Sequence, residues 1–460
     1  MFDNSTMPEQ PLPASATPPE SRTVLHSWCI QTEWDAPTVV GGDGARLYTA
    51  DGRTILDMSS LAECSNLGHQ HPHVVAAIRA QASRLCFVTS AWGAEPRAQL
   101  AALLLEQAGF DGGRVFFTLG GADANEHAVK FARAAAAKPR GWVITRERSY
   151  HGASYAAMAL SGDARTAAQA DPEAFRVLHV PPPYAYRCPF GTTSAAECAA
   201  ATVSYIGGVI AARGAHEVAA VMMEPNAGTN GIVAPDEFWP ALRAATRESG
   251  VWLIADEVMS AFGRCGEWFA WQRYGAHARP DLMTLAKGLT GAHLPLGAVV
   301  LGAEVARALE PQMLMTGLTY CGHPLACAAG VAAIESYRDL GLIARSRRLG
   351  AVMCAHLRQM QTRHAVIGDV RGGHGLFAVL ELVRERSSRE PLSPWPQQHG
   401  SLKRLLARAL ERGVSFAARG NLLLLAPPLV ISERELDAAL GLLDELLGEL
   451  AAGNAREHDT

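Results

Sequence analysis

The chain has 460 residues and a mass of 49.0 kDa, which predicts either about three domain-sized units or one large catalytic domain with a smaller one. Apolar residues make up 48% of the sequence and charged residues 19%, so the chain can bury a large core and is not disordered. The formal net charge of −4 removes the electrostatic argument for a nucleic acid or an anionic membrane as partner.

Cysteine usage and the N-terminal residues predict a cytoplasmic protein. The nine cysteines include no CxxC pair, which argues against a disulfide framework or a cysteine-rich zinc site and favours a reducing compartment. Residues 1–23 contain five prolines and no apolar core, so they predict a disordered tail rather than a signal peptide. Apolar runs such as Leu422–Ala426 are far shorter than the roughly 18 residues of a membrane helix, and no membrane partner is expected.

In chain order, the first element predicted after the tail is a β-hairpin at 47–57 with an Asp51-Gly52 turn. Residues 24–70 are assigned to the N-terminal part of a smaller domain. Residues 71–324 form the large domain, in which short apolar strands alternate with helices, and this predicts a mostly parallel sheet covered on both faces. The predicted strands are Val115–Leu119, Trp142–Thr145, Val177–Val180, Val218–Met223, Val251–Ala255, Leu282–Leu285 and Ala298–Leu301. The predicted helices are Glu95–Ala108, Asp123–Ala137, Ala195–Ala212 and Asp236–Ser249.

Beyond residue 324 the strand signal fades, and residues 325–460 are assigned to the C-terminal part of the smaller domain. The proline- and charge-rich segment Arg384–Pro396 predicts a surface loop, and 370–382 is a short β-rich stretch. The predicted fold is α/β: a large domain with a mostly parallel seven-stranded sheet, plus a smaller α+β domain built from both ends of the chain. The helices predicted in this last part are Leu325–Tyr337, Ile343–Arg363, Leu402–Arg412 and Glu433–Leu450.

Polar residues that directly follow the strands are candidate site residues, because open α/β sheets bind ligands at the carboxyl ends of their strands. Gly120-Gly121-Ala122 lies between a strand and a helix, where glycines let an anion approach the helix N-terminus. A tight turn would need the same glycines. Tyr150-His151 follows the next strand, and its aromatic ring can either stack on a flat ligand or lie in an ordinary surface loop.

Asp256-Glu257 and Lys287 follow later strands. A carboxylate after a buried strand can hold a proton on a heterocyclic nitrogen, although a solvated strand end also accommodates acids. Lys287 stands between alanine and glycine, and a partly desolvated lysine can form a Schiff base, which arginine cannot. A structural lysine is the alternative. Arginine supplies most positive charges here, because lysine occurs only at Lys130, Lys138, Lys287 and Lys403.

Together these candidates fit one ligand class. A phosphorylated pyridine aldehyde needs a lysine for its aldehyde, an acid for its ring nitrogen and a helix N-terminus for its phosphate. The hydroxyl-rich loop Thr316–Gly322 can add phosphate contacts or simply form a turn. The sequence contains no GxxxxGK[ST], HExxH or GxSxG motif. The histidines of 69–73 have a spacing typical of a loop and a helix cap, so no metal site is predicted.

Motifs spread over nearly the whole chain carry a resemblance to a known family. They are SNLGHQHP (65–72), GGADANEHAVK (120–130), SYHGA (149–153), MEP (223–225), IADEVMSAFGRCGEW (254–268), LAKGLTGAHLPLGAVV (285–300), TYCGHPLACAAG (319–330) and LAPPL (425–429). From about residue 24 to 450 the chain resembles the class III (ω-amino acid) aminotransferases of pyridoxal-phosphate fold type I. VLHSW (24–28), TNGI (229–232) and GEWFAW (266–271) look most like the taurine–oxoglutarate and taurine–pyruvate transaminase branch.

The resemblance implies that the cofactor is pyridoxal 5'-phosphate. Lys287 would form the Schiff base with it and shuttle the proton, and Asp256 would pair with the pyridine nitrogen. Val258 and Tyr150 would lie against the two faces of the ring. Thr319 would reach the phosphate of the neighbouring subunit, which implies a homodimer with shared active sites. The other implied cofactor contacts are Gly121 and Ala122, through backbone N–H groups, His151 and Glu224.

Two positions depart from the family pattern. Many relatives carry serine where this chain has Ala122, so one hydroxyl contact to the phosphate is missing. The arginine that grips the acceptor's carboxylate in many ω-transaminases would fall at Ala417, and Arg419 lies two residues later. Either Arg419 takes over that role or the carboxylate is held elsewhere. Trp28 and Tyr186 are candidates for lining the donor pocket, with packing as the alternative.

The expected function is transfer of an amino group from a primary amine (terminal or ω) or amino acid to a 2-oxo acid such as pyruvate or 2-oxoglutarate. The cycle would be ping-pong through pyridoxamine phosphate. One alternative is an aminomutase or decarboxylase on the same fold. Another is a non-catalytic pyridoxal-phosphate-binding protein, against which the joint presence of Lys287, Asp256 and Tyr150 argues.

Overall fold

The computed structural model describes residues 20–138 and 141–457. The prediction of a disordered tail at residues 1–23 lies outside the described residues for 1–19. Its last four residues form the helical turn α1 (Glu20–Thr23). The further helices are α2 (Ser60–Glu63), α3 (Pro72–Arg84), α4 (Glu95–Ala108), α5 (Gly121–Ala135), α6 (Tyr155–Leu160), α7 (Ala195–Arg213), α8 (Phe238–Glu248), α9 (Ala303–Leu309), α10 (Pro324–Asp339), α11 (Leu342–Arg363), α12 (Gly400–Glu411) and α13 (Glu433–Glu457). The strands are β1 (Val39–Asp43), β2 (Arg46–Thr49), β3 (Thr54–Asp57), β4 (Arg114–Thr118), β5 (Trp142–Arg146), β6 (Val177–Val180), β7 (Val218–Met223), β8 (Trp252–Asp256), β9 (Leu282–Leu285), β10 (Gly297–Leu301), β11 (Ile367–Gly372), β12 (Ala378–Glu385), β13 (Glu390–Pro391), β14 (Val414–Ser415), β15 (Ala417–Arg419) and β16 (Leu422–Leu425).

A seven-stranded sheet in the order β4-β10-β9-β8-β7-β5-β6 forms the centre of the large domain. β10 is antiparallel to both of its neighbours, and the other neighbouring pairs are parallel. The carboxyl ends of β4, β5, β7, β8 and β9 therefore meet at one edge of the sheet. The predicted mostly parallel seven-stranded sheet is confirmed, and this edge is where a ligand is expected.

Helices cover both faces of this sheet because its strands alternate two sets of apolar side chains. In β7, Ala220 and Met222 belong to the core cluster that includes α5 and α9, whereas Val221 and Met223 belong to the cluster that includes α7 and α8. All residues of β7, β9 and β10 are buried. Strands enclosed on both faces require such continuous apolar runs.

The smaller domain joins the two ends of the chain. β14 pairs in parallel with β3 and so extends the sheet that begins with β1 and β2. The predicted hairpin is confirmed, with β2 and β3 on either side of the Asp51-Gly52 turn. A second sheet has the order β11-β12-β16-β15, with β13 on β12. The chain beyond residue 324 thus contains more sheet than predicted, and β13 lies within Arg384–Pro396, which was predicted to be a loop. The sequence does not reveal β13 and β14 because strands of two residues show no alternating pattern.

The helix α7 corrects the expectation that no segment is long and apolar enough for a membrane span. It has 19 residues, and its mean hydropathy of 1.4 satisfies that test by length and composition. Its buried residues Cys198, Ala199, Thr202, Ile206 and Ile210 are separated mainly by three or four positions, which places them on one helix face. That face packs against α8 and β6, so α7 has the packing of a helix that covers an α/β sheet.

Candidate active site

The carboxyl-end edge of the central sheet borders a cavity of about 230 Å³. Because the candidate side chains follow β4, β5, β7, β8 and β9, the fold gathers residues that are far apart in sequence around one space. The predicted site residues that line it are Gly121, Ala122, Tyr150, His151, Glu224, Asp256, Val258 and Lys287.

Lys287 follows β9 and begins a short 3₁₀ turn, Lys287–Leu289, with a left-handed φ of 43°. Its side chain is 21% exposed, and its Nζ lies 2.9 Å from Glu63 Oε2. Burial disfavours the ammonium form, but the attraction of the Glu63 carboxylate, aided by Cys64 and Asp256, outweighs burial and raises the pKa of Lys287. Lys287 is therefore a paired ammonium in the free site, and it must lose a proton before it can attack a carbonyl carbon.

Asp256, at the end of β8, is buried and fixed by three hydrogen bonds. Its Oδ2 lies 2.7 Å from His151 Nδ1 and accepts from Asn125 Nδ2 at 2.8 Å, while its Oδ1 accepts from the Val258 N–H at 3.0 Å. A carboxylate only accepts, so His151 carries a proton on Nδ1. The Thr284 hydroxyl donates to Asn125 Oδ1 at 2.7 Å and thereby orients the amide. A carboxylate held this firmly can stabilise a positive charge placed opposite it.

The first turn of α5 lies at one end of the cavity and directs backbone N–H groups there. Asp123 accepts hydrogen bonds from two backbone N–H groups of the preceding turn, at 2.7 and 2.8 Å. Within residues 20–138 and 141–457, the N–H groups of Gly121 and Ala122 have no acceptor. A β-carbon at position 121 would lie 2.9 Å from Val258 Cγ1, so glycine is needed for this close approach. A helix N-terminus with open N–H groups is suited to a phosphate.

Glu224, directly after β7, links the cavity to β5. Arg146 Nη2 donates to Glu224 Oε2, and both side chains are buried. The Tyr150 N–H donates to Glu224 Oε1 at 3.4 Å. Burial raises the pKa of Glu224, and the Arg146 guanidinium opposes that effect. The pair therefore holds the backbone of Tyr150 beside the cavity.

Trp28, Arg165 and Arg419 lie around Tyr150, which lines the cavity. The rings of Trp28 and Tyr150 meet edge to face with 6.1 Å between centroids, and the Arg165 guanidinium lies 4.4 Å from the Trp28 ring centroid. Arg165 is committed to the Asp163 carboxylate at 2.8 and 3.0 Å. Arg419 interacts electrostatically with Tyr150 and Arg165, and its buried Nε has no hydrogen-bond partner in the described part of the chain. Arg419 therefore keeps an unused Nε–H donor, whereas the Nε–H of Arg165 donates to Asp163.

Thr319 and Tyr186 do not line the cavity. Thr319 is exposed in the loop before α10, which leaves it accessible to a second chain. The Tyr186 ring lies 5.3 and 5.0 Å from the guanidinium carbons of Arg187 and Arg389, and a β-carbon at Gly368 would lie 2.4 Å from its hydroxyl. Within one chain, Tyr186 therefore has the surroundings of a packing residue.

Sequence reasoning missed Glu63, Asn125 and Arg165. Asn125 could have been predicted as a site residue from the sequence. It follows Gly121 by four residues, so both residues lie on the same face of α5. Glu63 belongs to the segment assigned to the smaller domain, 224 positions before Lys287. The residues next to Glu63 in the sequence do not indicate that its carboxylate contacts Lys287. Arg165 follows no predicted strand, so the strand-end rule does not select it.

Comparison with known proteins gives a consistent result. Residues 32–447 match the family model described as aminotransferase class-III. The chain is 35% identical to a leucine/methionine racemase from Thermococcus litoralis, covering 91% of this chain and 92% of that protein. It is 32% identical to a taurine–pyruvate aminotransferase from Rhodobacter capsulatus, covering 96% and 99%. The solved structure of a taurine:2-oxoglutarate aminotransferase from Bifidobacterium kashiwanohense, in complex with PLP and glutamate, matches with a TM-score of 0.89 and 34% identity, covering 94% of this chain and 97% of that one.

The residues around the cavity suit the cofactor of this family. An amine nucleophile, a buried carboxylate for a ring nitrogen and a glycine-lined helix N-terminus for a phosphate are the three groups that pyridoxal phosphate requires. The close approach of Gly121 to Val258, which a β-carbon would obstruct, brings the N-terminus of α5 next to a side chain that lines the same cavity. This chain therefore belongs to the class III aminotransferases, fold type I enzymes that use pyridoxal phosphate to transfer an amino group to a 2-oxo acid.

Proposed function

We propose that Lys287 and Asp256 carry out this transfer and that the donor is a primary, terminal amine. The carrying observation is that a lysine amine and a triply hydrogen-bonded carboxylate face one cavity whose other end is an open helix N-terminus. When bound, pyridoxal phosphate supplies an aldehyde that takes up the amino group and a ring that accepts the electron pair of the broken C–H bond. Lys287 Nζ takes the proton from the reacting carbon of the donor and returns it on the cofactor side.

The remaining cavity residues position the cofactor. Asp256 keeps a proton on the pyridine nitrogen, because its carboxylate is fixed and buried beside that position. Val258 and Tyr150 hold the ring from its two sides. Gly121 and Ala122 bind the phosphate through backbone N–H groups, and Ala122 offers no hydroxyl.

The residues around Tyr150 bind the substrates. Arg419 has an unpaired buried Nε, which supports a role in gripping the carboxylate of the 2-oxo acid, pyruvate or 2-oxoglutarate. Trp28 packs on Tyr150 and Arg165, and we assign it to the donor pocket. The donor product leaves as a carbonyl compound before the 2-oxo acid binds, as a ping-pong cycle requires.

The half-reaction offers a direct test. Purified protein reconstituted with pyridoxal phosphate is expected to be yellow, and a primary amine should bleach it stoichiometrically without any 2-oxo acid, because the amino group stays on the enzyme. Pyruvate or 2-oxoglutarate should then restore the colour and yield one amino acid per site. Absorbance and chromatography of both products measure the two steps. Turnover of the amine with no 2-oxo acid, or release of CO₂, would contradict the proposal and favour an aminomutase or a decarboxylase.

Amino acid racemisation is a second candidate, which the 35% identity to a leucine/methionine racemase favours. It uses the same proton abstraction by Lys287 but returns the proton to the amino acid itself, so it needs no 2-oxo acid. Incubation of L-leucine or L-methionine with the holoenzyme alone, followed by chiral chromatography, separates the two functions. Formation of the D-enantiomer at the rate of amine transfer or faster would make racemisation the main activity.

A homodimer with shared active sites completes the proposal. The loop that carries Thr319 exposes large apolar side chains, including Met313 and Met315 at 85% and 86% and Tyr320 at 54%. Contiguous exposed apolar groups of this kind mark interaction surfaces, and a second copy would bring Thr319 to a phosphate. All nine cysteines are free, which supports the prediction of a cytoplasmic location.

Met315→Glu is expected to convert the dimer to monomer and to lower the affinity for pyridoxal phosphate, because a charge would be buried in the apolar contact. Analytical ultracentrifugation and cofactor titration measure the two effects. Leu340→Glu is the matched control, since Leu340 is exposed at the end of α10 and outside this loop. A Met315→Glu protein that stays dimeric with unchanged cofactor affinity would rule this loop out as the interface.

A further inference from the structure

Glu63 is a buried carboxylate at the reacting amine for which the proposed mechanism has no use. It is 6% exposed, and its Oε2 lies 2.9 Å from Lys287 Nζ. The carboxylate for the pyridine nitrogen is a different one, Asp256, with its own three hydrogen bonds. Buried acids are rare unless they are paired, and Glu63 is paired with the amine that reacts. We therefore expect Glu63 to have a role in the reaction or in substrate binding.

A strained turn aims the Glu63 side chain. The four residues of α2, Ser60–Glu63, have φ values of 49°, 46°, 67° and 58°, so the turn is left-handed without a glycine. Each such residue is less stable in this conformation than in the right-handed form. The turn persists because the Ser60 hydroxyl donates to the Ala426 carbonyl at 2.6 Å and accepts from Arg264 Nη2 at 2.9 Å. Surroundings that over-determine a strained turn are common at ligand-binding sites.

The carboxylate of Glu63 lies next to a residue that lines the cavity. A β-carbon at Gly228, which lines the cavity, would lie 3.5 Å from Glu63 Oε2. Arg264 acts electrostatically with Glu63 but donates its four hydrogen bonds to other groups. Arg419 also interacts with Glu63 electrostatically, and the hydrogen bond recorded for its guanidinium goes to the Ala418 carbonyl. The direct partner of the carboxylate is therefore Lys287.

This partner is lost during the reaction. Once Lys287 Nζ is bonded to the cofactor, or carries a proton between carbon atoms, it no longer presents a free ammonium to Glu63. A buried carboxylate that loses its countercharge is destabilised by several kcal/mol. A second positive charge on the donor would restore the pairing, whereas a monoamine brings no such charge.

We propose that Glu63 binds the second, non-reacting cationic group of the donor and so selects diamines or diamino acids over monoamines. This inference rests on the proposed function. Before the reacting nitrogen bonds to the cofactor, one carboxylate that bridges both nitrogens of the donor keeps them within about 8 Å of each other. That separation corresponds to a chain of about three to five carbon atoms.

A matched pair of donors tests the role of Glu63. Butane-1,4-diamine and pentan-1-amine have similar length and differ by one cationic group. The holoenzyme and its Glu63→Gln variant are assayed with both donors and pyruvate. We expect the wild-type enzyme to favour the diamine in kcat/KM, and Glu63→Gln to reduce the diamine-to-monoamine ratio of kcat/KM about 30-fold or more. Glu63→Asp retains the charge and should retain part of the preference.

A binding measurement without turnover separates selection from an effect on Lys287. In the Lys287→Ala protein loaded with pyridoxal phosphate, spectral titration gives the affinities of the two donors. The diamine should bind more tightly than the monoamine, and adding Glu63→Gln should equalise the two affinities. Equal losses for both donors in the Glu63→Gln enzyme, or an unchanged ratio in the titration, would overturn the inference, because Glu63 would then act on Lys287 or not at all.

The two levels of proposal fail in different ways. If no primary amine bleaches the holoenzyme, the proposed function itself is wrong. If monoamines bleach it and the diamine shows no advantage, only the role of Glu63 is wrong. Should Glu63→Gln fold poorly, as circular dichroism would reveal, the Glu63→Asp variant and the wild-type donor ratio still decide between these outcomes.

Discussion

Lys287→Ala is expected to lower amine transfer by about 10⁴-fold or more, because it removes both the covalent attachment point and the base. Pyridoxal phosphate should still bind through α5 and Asp256, but without a covalent bond to the chain. Two measurements check this: kcat with amine and pyruvate, and the mass of the chain after hydride reduction. In the wild type the reduced cofactor should be found on the peptide that contains Lys287, and in the variant it should be absent from the chain.

Lys403→Ala is the matched control, since Lys403 is exposed on α12. It should leave both the turnover and the reduction product unchanged. Addition of an amine to the Lys287→Ala holoprotein should produce a stable spectral change that does not proceed to product. Turnover near the wild-type rate in this variant, or a reduced tag on another lysine, would remove Lys287 from the centre of the reaction.

The strand-end candidates could be predicted because they depend on local sequence. Gly121, Tyr150, Asp256 and Lys287 each follow a short apolar run that the sequence shows clearly, and parallel strands place their carboxyl ends at one edge. The central strands were predicted for the same reason, since strands covered on both faces read as continuous apolar runs. The resemblance then attached a chemical role to each of these positions.

The residues that were missed depend on tertiary packing. Glu63 contacts Lys287 from the left-handed turn α2. Ser60–Glu63 contains no glycine or asparagine, the residues from which a left-handed conformation is usually predicted. β13 and β14 escaped prediction because strands of two residues carry no periodicity. The helix α7 was predicted, but its mean hydropathy of 1.4 over 19 residues contradicts the expectation that no segment is apolar enough to span a membrane. Contacts between residues far apart in the sequence could therefore not be predicted from local sequence patterns.

Asp256→Asn is expected to reduce kcat by about 10³-fold while the protein still binds pyridoxal phosphate and turns yellow. A neutral amide has no charge to keep the pyridine nitrogen protonated, so the ring becomes a weaker acceptor for the electron pair of the broken C–H bond. The loss should appear in the proton-abstraction step and not in binding. Single-turnover bleaching by a donor with deuterium at its reacting carbon checks this, because the isotope effect should be larger in the variant than in the wild type.

Glu257→Gln is the neighbouring control for this prediction. Glu257 is also buried, but its carboxylate accepts from the N–H groups of Ala270 and Trp271 at 3.0 and 2.9 Å. Glu257 is not among the residues that line the cavity. Burial raises the pKa of Glu257 to about 7, so the loss of its charge is tolerated there, although the amide nitrogen leaves one of these two N–H groups without an acceptor. The control should therefore change kcat far less than Asp256→Asn does. If the two variants lose activity equally, the effect at position 256 is one of folding, and the charge of Asp256 is not what drives the reaction.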